Sequence, residues 1–129
     1  LSFVLSHNPS IGASTAVFGL VAAEAVFIYT NRKLFGERAR GMLVNLGMVI
    51  LVNLMLGLQP GIDNWGHLGG LAGGLIFSWF AGPVFKMSIS TDALNYQLVD
   101  SRTKTEVLWG AMLSGGLFLA VVIGRFIAG

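Results

Sequence analysis

Apolar residues in this chain run in long unbroken blocks, without the strict alternation of a half-buried strand. Residues 41–62 contain 22 positions without Asp, Glu, Lys or Arg, and residues 64–85 contain another 22, with Asp63 alone between them. Uncharged apolar runs of this length read as membrane-spanning helices. The pattern predicts four: residues 11–29, 41–58, 66–82 and 107–128, each close to the ~20 residues that cross ~30 Å of hydrocarbon. A transmembrane β-barrel would show alternating short segments instead. The expected fold class is an all-α membrane protein, a polytopic helical bundle with four transmembrane helices.

Charge orients the bundle. The first loop holds Arg32, Lys33, Arg38 and Arg40 against Glu37, and the second only Asp63. The excess of Lys and Arg in cytoplasmic loops places the first loop inside and the second outside, so the helices at 11–29 and 66–82 both start at the outer face. The connection over 83–106 carries Lys86, Asp92, Asp100, Arg102, Lys104 and Glu106, with no net charge, and alternation makes it cytoplasmic. It is expected to be a solvated linker with room for a short hairpin or surface helix. The organisation expected is a three-helix unit over 1–83, the polar linker over 84–106 and an additional helix over 107–129. Arg125, near the end of the last helix, should snorkel to the outer interface.

Composition narrows the function classes. Of 129 residues 54% are hydrophobic and 11% charged, against about 25% charged in soluble domains, and the mean hydropathy is +0.75. A soluble globular domain and a disordered chain are both excluded. Eight Lys and Arg against six Asp and Glu give +2, too little for nucleic-acid binding. With no Cys, disulfides, thiol catalysis and Cys-based metal sites are impossible within this sequence. No cofactor is expected: there is no P-loop or dinucleotide fingerprint, and two histidines on different segments do not make a metal site. The chain opens on Leu1 with no charged n-region, and it reads as part of a longer protein.

A few polar residues in the apolar blocks carry the candidate chemistry. Ser14, in Gly12-Ala13-Ser14-Thr15-Ala16, opens the first helix, and His67, in Trp65-Gly66-His67-Leu68-Gly69-Gly70, opens the third. Each alone has an ordinary role, the serine as a packing residue that bonds its own helix and the histidine as a solvated interfacial group. At matched depth, however, a histidine can take a serine's proton as general base and return it to a leaving group. Gly66, Gly70 and Gly74 are spaced by four, as are Gly69 and Gly73, which gives a face on which another helix packs closely. Packing the first helix there would bring Ser14 and His67 together. Asp63 is read as an outer-loop residue near the start of the third helix, where a negative charge suits the helix dipole, and not as the acid of a triad. Glu24, ten residues past Ser14 and so ~15 Å deeper, is expected to be buried, protonated and bonded to a neighbouring helix, with Asn45 and Asn53 as conceivable partners. A buried carboxylate also keeps open a transporter or channel.

Around these two residues the sequence resembles the rhomboid family of intramembrane serine proteases. Gly12-Ala13-Ser14 followed by Ala16-Val17-Phe18-Gly19-Leu20 looks like the family's nucleophile helix, and Trp65-Gly66-His67-Leu68-Gly69-Gly70 with Gly73 and Gly74 looks like its histidine helix. The resemblance implies a Ser–His dyad, with Ser14 as nucleophile and source of a backbone oxyanion donor and His67 as general base and acid. It implies transmembrane protein substrates cleaved near the outer face, in a multi-pass protein expected in a bacterial plasma membrane. The expected partners are those substrates, the lipid bilayer and other membrane subunits. Two departures stand out. Thr15 replaces the glycine after the serine, and the family's second core helix, whose His and Asn help form the oxyanion hole, has no counterpart here. His7 and Asn8 lie before the first helix and are not assigned that role. Phe18, one turn below Ser14, is placed either to pack on the histidine ring or to fill the core. The alternative to a protease is a non-catalytic rhomboid-like protein that binds transmembrane helices or serves a larger complex.

Overall fold

The computed structural model describes residues 13–89 and 96–128, with the side chain of residue 128 left out. Over these residues the chain is mostly helical: α1 (Ser14–Thr30), α2 (Arg32–Phe35), α3 (Arg38–Leu56), α4 (Asn64–Ala81), a two-stranded hairpin β1 (Phe85–Ile89) and β2 (Tyr96–Asp100), and α5 (Lys104–Ala128). Two helices, α3 and α5, are long and apolar enough to cross a membrane. At 17 residues α1 is shorter, and the glycines and polar start of α4 keep it below the same measure.

Local chemistry sets the boundaries, and it shifts them from those the hydrophobic pattern predicts. The third predicted helix starts two residues earlier, because Asp63 caps it: its Oδ1 accepts the Gly66 N–H at 3.0 Å and satisfies one of the helix's free donors. The fourth starts at Lys104 because Thr103 and Glu106 form a reciprocal capping box. The Thr103 N–H donates to Glu106 Oε2 at 2.8 Å, and the Glu106 N–H to Thr103 Oγ1 at 3.2 Å. The second predicted helix extends back through the basic loop to Arg38, where arginine is a good helix former. The short α2 was not expected. It follows a break at Asn31 and ends at Gly36, whose φ of 58° favours a residue without Cβ. Residues 11–12 of the first predicted helix lie outside the described residues.

The packing centres on α1 and α4, which run parallel. Thr15 lies against Gly66 and Gly70, and Gly19 against Gly70 and Gly74, while at the far end the Tyr29 and Trp79 rings stack 6.1 Å apart. A Cβ on Gly70 or Gly74 would run into the backbone of Thr15 or Gly19. The two backbones therefore touch directly, the contact that replaces a hydrophobic driving force between helices in lipid. α3 packs on α1, and α5 on α4, where Gly110 sits against Phe80 and Ala81.

Among the described residues the buried apolar set is small: Phe18, Ala22, Val26, Ile28 and Ala39. Large apolar side chains such as Leu20, Phe118 and Phe126 face outward, as expected where the solvent is hydrocarbon.

Candidate active site

α1 begins at Ser14, which is exposed, and α4 presents His67 in its first turn, where the ring is buried. The parallel packing of α1 on α4 puts both residues at the same end of the bundle. They line one cavity of about 230 Å³, together with Val17, Phe18 and Val21 of α1 and Val49, Ile50 and Asn53 of α3. The Phe18 ring stacks on the imidazole, with centroids 4.5 Å apart and planes 15° from parallel. Of the two roles open to Phe18, the structure assigns both at once: it is a buried core residue, and it holds the face of His67.

His67 Nδ1 is buried with no hydrogen-bond partner among the described residues, and no hydrogen bond joins it to Ser14 in this structure. Catalytic hydrogen bonds are often long before substrate binds. The glycines of α4 play unequal parts. Gly70 and Gly74 meet α1 directly, whereas a Cβ on Gly66 would approach Thr15 Oγ1 at 2.8 Å and Asp63 Oδ2 at 2.6 Å. Gly73 faces open space, and Gly69 is half-buried. Gly12, His7 and Asn8 lie outside the described residues.

Thr15, the departure beside the serine, has its side chain beside Gly66. Its hydroxyl thus lies at the seam between α1 and α4. Asp63 is occupied as the cap of α4.

Glu24 corrects an expectation. It is exposed in this chain, because Phe18, Ala22 and Val26 take the buried face along α1, while Ile28, on the side of Glu24, is buried near the end of the helix. Two residues on from Ala22, at 3.6 residues per turn, Glu24 points away from that face. Asn53 bonds the Val49 carbonyl of its own helix at 2.8 Å. Asn53 is also the polar residue of this cavity that the sequence pattern does not single out, offering it only as a partner for Glu24. No hydropathy signal separates a cavity-facing asparagine from a lipid-facing one on α3. Among the described residues no three His, Cys, Asp or Glu gather as a metal site.

A family model for the Rhomboid domain matches residues 1–84, which is more than half of the chain and contains both Ser14 and His67. The chain belongs to the rhomboid family. Its rhomboid relatives include both active and inactive proteins by name. It is 45% identical over 74 residues to the rhomboid protease GluP of Bacillus subtilis, covering 57% of this chain and 14% of that protein. It is 39% identical over 75 residues to RHOMBOID-like protein 4 of Arabidopsis thaliana, covering 58% and 19%. A weaker likeness, 27% over 123 residues, runs along 95% of this chain and 13% of human inactive rhomboid protein 2. The chain thus spans less than a fifth of the length of each of these relatives. No solved structure matches it. Family membership and the apolar helices together make this an integral membrane protein.

Proposed function

We propose that this rhomboid chain carries the nucleophile and base of an intramembrane serine protease, within a bundle of four membrane spans. The observation that carries this reading is the shared cavity of Ser14 and His67, with Phe18 stacked on the imidazole. In the proposed reaction His67 removes the Ser14 hydroxyl proton as Oγ attacks the scissile carbonyl. The protonated imidazole then returns that proton to the leaving amine. Water, activated by the same histidine, releases the acyl group from Ser14. The first N–H groups of a helix have no partner within it, so the Ser14 N–H at the start of α1 suits a developing oxyanion. The substrates are transmembrane segments, which reach the cavity within the bilayer, and Ser14 and His67 lie near the outer face.

Fluorophosphonate labelling of the full-length protein tests this. The wild type should label, and Ser14→Ala and His67→Ala should both fall to background while the fold persists. A folded wild-type protein that does not label, or a His67→Ala variant that labels like wild type, overturns the dyad.

A second reading, a non-catalytic rhomboid that holds transmembrane helices, is favoured by the likeness to human inactive rhomboid protein 2, which extends across α5. Thr15 beside the serine points the same way. An upstream helix with His and Asn four residues apart supports the protease, and its absence from the full-length sequence supports the second reading.

A further inference from the structure

The connection between α4 and α5 is an antiparallel ribbon, with Met87 opposite Leu98 and Ile89 opposite Tyr96. Side chains alternate across a strand, so Phe85, Met87, Ile89, Tyr96, Leu98 and Asp100 share one face, while Lys86, Ser88, Gln97 and Val99 share the other; Asp100, at the base, is engaged there, its Oδ1 accepting the Val84 and Arg102 N–H groups at 3.0 and 2.9 Å. On the apolar face Met87, Ile89, Tyr96 and Leu98 are 69%, 62%, 74% and 59% exposed. A two-stranded ribbon has no interior of its own and is at best marginally stable in water. This face requires a covering layer.

The base of the ribbon is fixed to the ends of the helices. The Phe85 N–H donates to Asn31 Oδ1 at 2.7 Å, and Asn31 Nδ2 donates to the Pro83 carbonyl at 3.0 Å. Arg102 donates through Nε to the Gly82 carbonyl at 3.1 Å and through Nη2 to the Trp79 carbonyl at 2.9 Å. The Phe85 ring lies edge-on to Phe27, with centroids 6.1 Å apart, and Phe27 edge-on to Phe35 at 6.0 Å. The apolar face of the ribbon is therefore continuous with the apolar end of α1 and α2. The ribbon leaves at the end of α4 and returns directly to α5, a helix long enough to cross the bilayer. Both of its ends lie at one membrane boundary. Tyr29 and Trp79 stack there, with the Arg32 guanidinium 5.0 Å from the Tyr29 ring. Tyr and Trp are residues of the membrane interface. Arg32, Lys33, Arg38 and Arg40 outnumber Glu37 from the end of α1 through the first turn of α3, which brings net positive charge to the same side, while the ribbon's own Lys86 and Asp100 offset each other.

We propose that this ribbon is a membrane-surface element: its apolar face inserts Met87, Ile89, Tyr96 and Leu98 into the boundary between headgroups and acyl chains of an anionic leaflet. The bilayer is the covering layer because the ribbon is held at its surface from both ends. Apolar residues inserted at that depth, with basic residues above them, are what an anionic interface binds. This inference does not depend on the protease reading.

The absence of cysteine from this chain makes the test direct. Met87→Cys and Leu98→Cys on one face, and Ser88→Cys and Gln97→Cys on the other, are introduced singly into the full-length protein cleared of any other cysteine. Each is nitroxide-labelled and reconstituted in phosphatidylcholine–phosphatidylglycerol vesicles. Collision rates with lipid-soluble oxygen and with a water-soluble nickel chelate are then compared. Labels at 87 and 98 should show an oxygen-to-nickel ratio several-fold above those at 88 and 97. Equal nickel access at all four positions, which means that the ribbon stands in water, overturns the proposal. So does shielding of 87 and 98 from both reagents, which means that protein covers the face.

Discussion

At the residue scale the site turns on which partners each polar side chain finds. His67 is held on one face by Phe18, and its Nδ1 has no partner among the described residues, so none of their carboxylates bonds that nitrogen. Asp63, the acid nearest to it in sequence, accepts the Gly66 N–H instead. Asp63→Ala should therefore cost about 1 kcal/mol of stability, the usual loss of an N-cap, while Asp63→Asn, which keeps a capping oxygen, should cost less. Thermal unfolding in detergent checks both. Fluorophosphonate labelling of folded Asp63→Asn should proceed at close to the wild-type rate, and a fall of a hundredfold or more would give Asp63 a catalytic role. Both candidate residues were legible in the sequence, and so was the place of Asp63 near the start of the third helix, though as a charge suited to the helix dipole and not as a cap. The outward direction of Glu24 was not, because the packed face of α1 depends on where α4 lies.

At the scale of elements, the close approach of α1 and α4 is made by particular glycines. Gly70 and Gly74 are in backbone contact with Thr15 and Gly19, whereas Gly73 faces open space. Gly70→Val should separate the two helices, lower the unfolding temperature and abolish labelling at Ser14. Gly73→Ala should stay within about 0.5 kcal/mol of wild type, as substitutions away from packed features do. Thermal unfolding and labelling of the two variants in parallel check this. The sequence shows both four-residue spacings, Gly66-Gly70-Gly74 and Gly69-Gly73. It does not say that Gly70 and Gly74 meet α1 while Gly73 does not, since that is settled by the crossing of the helices. Helix ends were legible only in part. The Thr103–Glu106 box and the Asp63 cap move two starts back by two or three residues from the hydropathy boundaries, because local hydrogen bonds and not the apolar runs set them.

At the scale of the whole molecule, Asn31 ties the two ends of the fold together. It is almost fully buried, and its side chain bonds the Phe27 carbonyl at the end of α1 as well as Pro83 and Phe85, more than fifty residues away. Asn31→Ala would leave the part-buried Phe85 N–H without that partner, at up to ~1–3 kcal/mol for a group left unsatisfied, and would free the carbonyl of the exposed Pro83. The expected outcome is a lower unfolding temperature and faster amide exchange in Phe85–Ile89 and Tyr96–Asp100. Unchanged exchange there would show that the ribbon is held by other means.

The sequence by itself determined that this is a helical membrane chain and that Ser14 and His67 each open a helix. Composition and run length decide these, because hydrocarbon admits only segments that satisfy their own backbone. The tertiary structure decided which side chains share a cavity, which glycines touch, that Glu24 faces away from α4, and that Asn31 fastens the ribbon. These depend on the rotation and register of one helix against another, which are fixed by contacts between residues far apart in the chain.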